Sequence, residues 1–349
     1  MDVPGTNSKE MHRSPHNVGF GSSQDDWLSS PPPARPAYVH SPSGALVLSR
    51  HADVLAAMRT PDLFHVGTDN DLDTAVRRED RRLRIRAEFA SLLTRSRLTD
   101  RRGPALAFAR ELLDRLPVGA PVELLDRFVR PWSLKLALAM TAFGTAQAVR
   151  LRQLEELALT GEIDHHGAVK EAKHLFREGG TISAEPLFLG AAETLPHLLS
   201  NVVVTFVRHR AAFDQIRARP DLLPNAIEEL LRFAGPVHTL HYRAARDVVC
   251  NGIATPRHMN VEARAMAGNR DADVFPEPDQ LDLARRGAGH LSLGIGPHSC
   301  PGAALVRLAL GTVLEALAQR NVLLEFTGPI EWRIGSTLFS AVFIPVVVK

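Results

Sequence analysis

The sequence predicts a mainly α chain with a minor β part, folded as one domain. Three observations predict it. Successive segments carry apolar residues at helical spacing, the strand-like runs are few and short, and no Gly/Pro/Ser-rich linker interrupts the chain after about residue 36. Hydrophobic residues make up 45% and charged residues 23% of the 349, which excludes a disordered chain, a coiled coil and a collagen. That length is enough to enclose a cofactor-sized cavity. A net charge of +2 argues against a dedicated nucleic-acid binder. With two cysteines, Cys250 and Cys300, a disulfide framework is excluded and a reducing compartment is expected. The first ten residues, MDVPGTNSKE, hold no apolar signal-peptide core, so a cytoplasmic protein is expected.

In order, residues 1–36 read as a flexible arm rich in Ser, Pro, Gly and Asn. Residues 37–349 read as the single folded domain. It opens with a hairpin, Tyr38-Val39-His40 and Ala45 to Leu48, about Ser41-Pro-Ser-Gly44. Helical spacing follows at Asp53 to Met58, Asp80 to Leu93, Pro104 to Leu116, Leu124 to Ala142 and Ala148 to Leu159. A long helix is expected from Ser183, as N-cap, to Arg208. Its stretch Pro186 to Val207 is apolar enough to resemble a membrane span. Glu193 at its centre would cost a few kcal/mol in lipid, so a buried helix is expected and no membrane. Another helix covers Pro224 to Phe233, with short strands at Asp247 to Val249 and Ile253 to Ala254. Asn269 to Gly296 is irregular and dense in Gly, Pro, Asp and Arg. A helix over Ala303 to Arg320 and strands within Ser336 to Val348 complete the chain.

The most informative segment is His290-Leu-Ser-Leu-Gly-Ile-Gly-Pro-His-Ser-Cys-Pro-Gly302. Gly294 and Gly296 permit a tight turn whose N–H groups can face inward. Cys300 stands at the start of a helix, where a thiol is biased toward thiolate. Gly302 lets something flat approach the backbone. The pattern describes a nest for a sulfur ligand facing a planar cofactor, and it also fits a buried cysteine in a Gly-rich turn.

This loop resembles the haem-binding signature of the cytochrome P450 family, F-G-x-G-x-H-x-C-x-G, matched at Gly294, Gly296, His298, Cys300 and Gly302, with Leu293 at the Phe position. The resemblance implies haem b with Cys300 as its axial thiolate, a ligand that favours O–O cleavage. It also implies that His298 bonds a haem propionate. A zinc site on His298 and Cys300 would lack two further ligands at usable spacing.

Other motifs resemble the family in order. Glu229-Leu-Leu-Arg232, ordinarily a solvated ion pair, resembles its E-x-x-R, with Arg285 in the following meander as the third charge. Gly190-Ala-Ala-Glu-Thr194 resembles the oxygen-binding groove. Gly190 and Ala191 would make room there, and Glu193 and Thr194 would deliver protons to dioxygen. In isolation it also fits a helix with one exposed Glu. Pro196 should bend the helix nearby. Arg84 resembles the helix arginine that binds a propionate, although the position four residues earlier is Asp80. Arg243 resembles a second propionate arginine or, read plainly, a surface strand residue. The run Arg77, Arg78, Arg81, Arg82, Arg84 and Arg86 fits a solvated helix face or a docking surface for an acidic redox partner such as a ferredoxin.

The resemblance implies a haem-thiolate oxidoreductase, in particular a monooxygenase tailoring an organic secondary-metabolite intermediate, fed by a ferredoxin-type partner or by peroxide. A non-oxygenating haem enzyme of the same fold and a haem-free recruitment module are the alternatives. A retained Cys300 weighs against the module. The family carries two lid helices between those expected to end at Leu159 and begin at Ser183. Glu162 to Gly180 cannot hold two average helices of about 11–12 residues, so one short helix, Ala168 to Arg177, and a truncated distal lid are expected. A pocket without its cover does not exclude water, and a large or carrier-bound substrate is the expected remedy.

Overall fold

The computed structural model describes residues 38–349 apart from 42–43, 67–71, 73–75, 77–78, 142–148, 151–152, 155–156, 158–162, 180–183, 287–288, 321–322 and 336. The expected arm, Arg77 and Arg78, the N-cap at Ser183 and most of the helix over Ala148 to Leu159 lie outside the described residues.

Strands β1 (Tyr38–His40) and β2 (Leu46–Leu48) pair antiparallel as a hairpin. With β3 (Leu63–His65), β5 (Leu240–Ala244) and β8 (Asn260–Ala263) they form a five-stranded sheet in the order β1-β2-β8-β5-β3, in which only β2 and β8 run parallel. Helix α1 (His51–Arg59) buries Val54, Ala57 and Met58 against Leu46, Leu48, Tyr242 and Val261.

The larger core surrounds α6 (Ala184–Arg208), the one helix among the described residues long and apolar enough to cross a membrane. Leu198, Leu199, Val202, Val203 and Phe206 are buried in the protein instead. Each large apolar side chain removed from water contributes roughly 1.5–3 kcal/mol, so the apolar run is the centre of a globular core. Around it stand α2 (Glu79–Leu92), α3 (Arg95–Asp114), α4 (Arg130–Thr141, continuing a π turn over Leu125–Val129), α5 (His165–Gly179), α7 (Arg210–Ala218), α8 (Leu223–Ala234) and α9 (Ala303–Arg320). Helix α3 packs along α9, with the ion pairs Arg102–Glu315 and Arg320–Asp114 at the rim. Strands β4 (Pro121–Glu123), β9 (Leu324–Phe326) and β12 (Pro345–Val348) form a three-stranded sheet. β6 (Val248–Cys250) pairs with β7 (Ile253–Thr255), and β10 (Glu331–Ile334) with β11 (Phe339–Phe343).

Two elements differ instructively from the sequence reading. The helix expected to start at Pro104 starts at Arg95, capped by Thr94 Oγ1 accepting from the Arg97 N–H, with Pro104 inside it. Pro104 and Gly103 face solvent, so the carbonyl that loses its donor is free to bond water. The bend expected at Pro196 takes the form of a π turn, Gly190–Thr194, just before the proline. The Leu195 N–H reaches back to Gly190 O, and Pro196 has no N–H to offer Ala192 O. His165 Nε2, at the start of α5, donates to that carbonyl at 3.0 Å. Helix α5 is thus tied to the π turn by its first residue. It is longer than the short helix expected, and residues 149–150, 153–154 and 157 are helical ahead of it.

Candidate haem-thiolate site

The cysteine loop is built by its own backbone. Gly294 N–H donates to Leu291 O at 2.9 Å, Cys300 N–H to Leu293 O at 2.6 Å and Ser299 N–H to Gly296 O at 3.1 Å. Gly296 has φ +78°, and a Cβ there would meet Met58 O at 2.9 Å, so the end of α1 demands glycine. These N–H groups are therefore spent within the turn and do not face the sulfur. The N–H that donates to Cys300 Sγ is that of Gly302. Pro301, between them, has none.

Burial pushes the Cys300 thiol up from its ordinary value, while the Gly302 N–H and the charges of Arg86 and Arg307 pull it down. A metal cation at the sulfur overrides the burial effect and holds the thiolate. A Cβ built on Gly302 would meet nothing within 4 Å except Sγ at 3.8 Å, which leaves the surface beside the thiol open to a flat group. The described residues hold no cluster of His, Cys, Asp or Glu that could bind a metal ion by itself. The donor set, one thiol beside a bare backbone, fits a haem iron.

Helix α2 flanks the loop. Arg82 Nη1 donates to Pro297 O, and Arg86 donates to Ser299 O and, at 3.0 Å, to Ser299 Oγ. Arg84, the expected propionate ligand, is exposed and turned away. A helix turns about 100° per residue, so positions 82 and 86 share a face while 84 lies on the opposite one. Arg82 and Arg86, expected only as part of the basic run, are the two arginines that hold the loop. The His298 ring stands edge-on to Phe64 and Tyr242, with centroids at 6.4 Å and 6.2 Å. Its imidazole makes no hydrogen bond among the described residues, and burial, then Arg82, lower its pKa. It is therefore a neutral N–H donor at neutral pH, suited to a propionate. Arg243 sits in β5 opposite Phe64 of β3 and donates from Nε to His258 O at 3.2 Å.

On α6, Gly190, Glu193 and Thr194 are exposed on one face, at i, i+3 and i+4, and a Cβ on Gly190 would meet nothing within 4 Å. Ala191, expected in the groove, is instead packed in the large core, because it lies a quarter-turn away.

Behind the loop, the structure brings Glu229, Arg232 and Arg285 together. The Glu229 carboxylate accepts from Arg232 Nε at 2.7 Å, Arg232 Nη2 at 2.8 Å, Arg285 Nε at 3.2 Å and the Asp282 N–H at 3.0 Å. Arg232 also donates to Asn269 O, Pro278 O and Gln280 O, and Arg285 to Pro276 O and Glu277 O. The irregular meander thus hangs on two guanidiniums and one buried carboxylate.

The tie at His165 has a pH consequence. Burial, then Arg130, lowers its pKa from 6.5 to about 4. Between those values the unfolded imidazole is protonated and the folded one is not, so the unfolded state binds more protons and stability falls as pH drops from 6.5 toward 4. One such group contributes at most about 1.4 kcal/mol per pH unit. Thermal unfolding against pH should show a shallower acid limb in His165→Gln, whose amide N–H can still reach Ala192 O.

The sequence model for the family described as Cytochrome P450 matches residues 201–325. Cytochrome P450 CYP107DY1 of Priestia megaterium is 36% identical over 143 residues, covering 40% of this chain and 35% of that one. The 6-deoxyerythronolide B hydroxylase of Saccharopolyspora erythraea is 36% identical over 134 residues, covering 38% and 33%. These matches span about a third of each relative's length. Among solved structures, P450 RauA in complex with a biosynthetic intermediate of aurachin RE superposes with a TM-score of 0.72 at 21% identity, over 90% of this chain and 93% of that one. The chain has the cytochrome P450 fold, and its residues 201–325 match that family's sequence model.

Proposed function

We propose that this chain is a haem-thiolate monooxygenase acting on an organic secondary-metabolite intermediate, and that residues 37–349 form its single haem domain. The observation that carries the reading is Cys300, with an N–H donor on its sulfur and an open backbone beside it, in a fold whose central helix exposes Glu193 and Thr194. Haem b, when bound, supplies the activation of dioxygen. Cys300 Sγ would hold its iron, and Arg86, His298 and Arg243 would hold its propionates. The Glu193 carboxyl takes protons from solvent, which its exposure allows, and passes them to Thr194 Oγ1 and on into the pocket. Arg81 and Arg84, left exposed on α2, form with their neighbours a basic face for an acidic ferredoxin-type donor.

A large or carrier-bound substrate fits the open face of Gly190, Glu193 and Thr194, which the chain's described residues do not cover. The relative named as 6-deoxyerythronolide B hydroxylase supports an oxidative tailoring role.

Thr194→Ala tests the relay. Haem content should be unchanged, while product formed per electron pair falls by roughly 10²-fold, the low end of general acid catalysis, with hydrogen peroxide released in its place. Equal peroxide-supported turnover in both forms, with none from reduced ferredoxin, would support the peroxide-driven reading.

A further inference from the structure

A cavity of about 260 Å³ lies between the start of α5, the middle of α6, the start of α4 and the hairpin β10–β11. Its polar lining is Arg130, Arg333, His165, His166, His197 and Glu193. None of the residues assigned to the haem propionates borders it, so it is separate from the cysteine loop. It flanks the proton relay instead, because Glu193 is in its wall and Thr194 is the next residue.

One guanidinium in that wall is paired outside it and the other is not paired among the described residues. Two guanidiniums face one carboxylate. Arg130 forms an ion pair with Asp126, one turn before it and outside the cavity wall. Arg333 has no ion pair or hydrogen bond to its side chain among the described residues. The imidazoles add no compensating charge. His165 is committed to Ala192 O, and His197 Nδ1 lies 2.7 Å from Ser340 Oγ. Burial first, then Arg333 and Arg130, lower the His197 pKa, so both guanidiniums already act on this ring. At neutral pH the rings of His165 and His197 are neutral hydrogen-bonding groups beside the Arg333 guanidinium, the one in this wall without an ion pair among the described residues.

We propose that this cavity is a subsite for an anionic head group of the substrate, a carboxylate or phosphate, gripped by the Arg333 fork with Arg130 opposite. A guanidinium matches both anions through paired N–H donors. The apolar part of the same wall, Leu125, Pro196 and Ala341, suits the chain that carries the head group. A molecule anchored there presents its remaining length to the open face of Gly190 and Thr194. This assignment rests on the monooxygenase reading and adds the substrate's charge to it.

Isothermal titration calorimetry on the haem-loaded full chain tests it, with octanoate, octanol and octylamine as probes and inorganic phosphate as competitor. Octanoate should bind at least tenfold more tightly than octanol, and octylamine most weakly. Arg333→Gln should abolish the preference for the acid and leave octanol unchanged, while Arg333→Lys keeps part of it. Displacement of octanoate by phosphate would point to a phosphate-bearing substrate, and resistance to displacement to a carboxylate. Either result comes with the anion preference intact. Octanol or octylamine binding as tightly as octanoate, equal loss of acid and alcohol in Arg333→Gln, or no anion preference in any probe overturns the proposal. The ferrous–CO spectrum of the same sample separates the two failures. A thiolate-type spectrum without anion preference defeats this subsite alone, whereas a colourless sample defeats the monooxygenase reading.

Discussion

Replacing Glu229 by alanine should destabilise the folded chain by about 3–5 kcal/mol, because it leaves the buried Arg232 guanidinium without its counter-charge. That is a large share of the roughly 5–15 kcal/mol that separates a native domain from its unfolded state. The loss should spread beyond the pair. Arg232 and Arg285 hold the carbonyls of residues 269 to 280, and the Asp282 N–H is held by the same carboxylate. The meander they organise leads into the cysteine loop, so weak haem retention should accompany the lower unfolding temperature. Glu229→Gln keeps an acceptor but not the charge and should behave nearly as badly. Thermal unfolding with haem content measured on the same samples checks this. A drop below about 1 kcal/mol, the range of an exposed ion pair, would mean that water reaches the cluster.

Cys300→Ala should abolish both the thiolate-type spectrum and turnover while leaving the fold intact. The substitution removes the sulfur and the Gly302 N–H bond to it, but none of the backbone–backbone hydrogen bonds of the turn, which run through the Cys300 N–H, Ser299 N–H and Gly294 N–H. Circular dichroism should therefore match the parent protein, with the defect confined to the haem. A thiolate-type spectrum surviving in this variant would assign the ligand elsewhere. Cys250 is a poor substitute, being buried in the core beside α1 with Thr60 Oγ1 at 3.6 Å.

The sequence was most legible where local chemistry sets the structure. Helix α9 begins and ends where its spacing says, and the cysteine loop could be read because its glycines and thiol are adjacent in the chain. It was least legible where a choice between helix faces decides. The six arginines at 77–86 carry no mark of which point inward. Counting back from the buried Phe89 by three, four and seven residues gives Arg86, Ile85 and Arg82, and not Arg84. The same counting separates Ala191 from Gly190. Pro104 was a false start signal, since a proline exposed inside a helix reads like one at its first turn. The cavity beside α6 was invisible because Arg130, His165, Glu193 and Arg333 meet only through tertiary packing.

The ferrous–CO difference spectrum of the full chain, purified from cells supplied with a haem precursor, reads out directly whether Cys300 ligates a haem iron. A red protein with a thiolate-type band is expected. A protein that stays colourless with excess haem, or one that binds haem without a thiolate-type band while Cys300 is intact, contradicts it. The first outcome would leave the fold serving as a haem-free recruitment module.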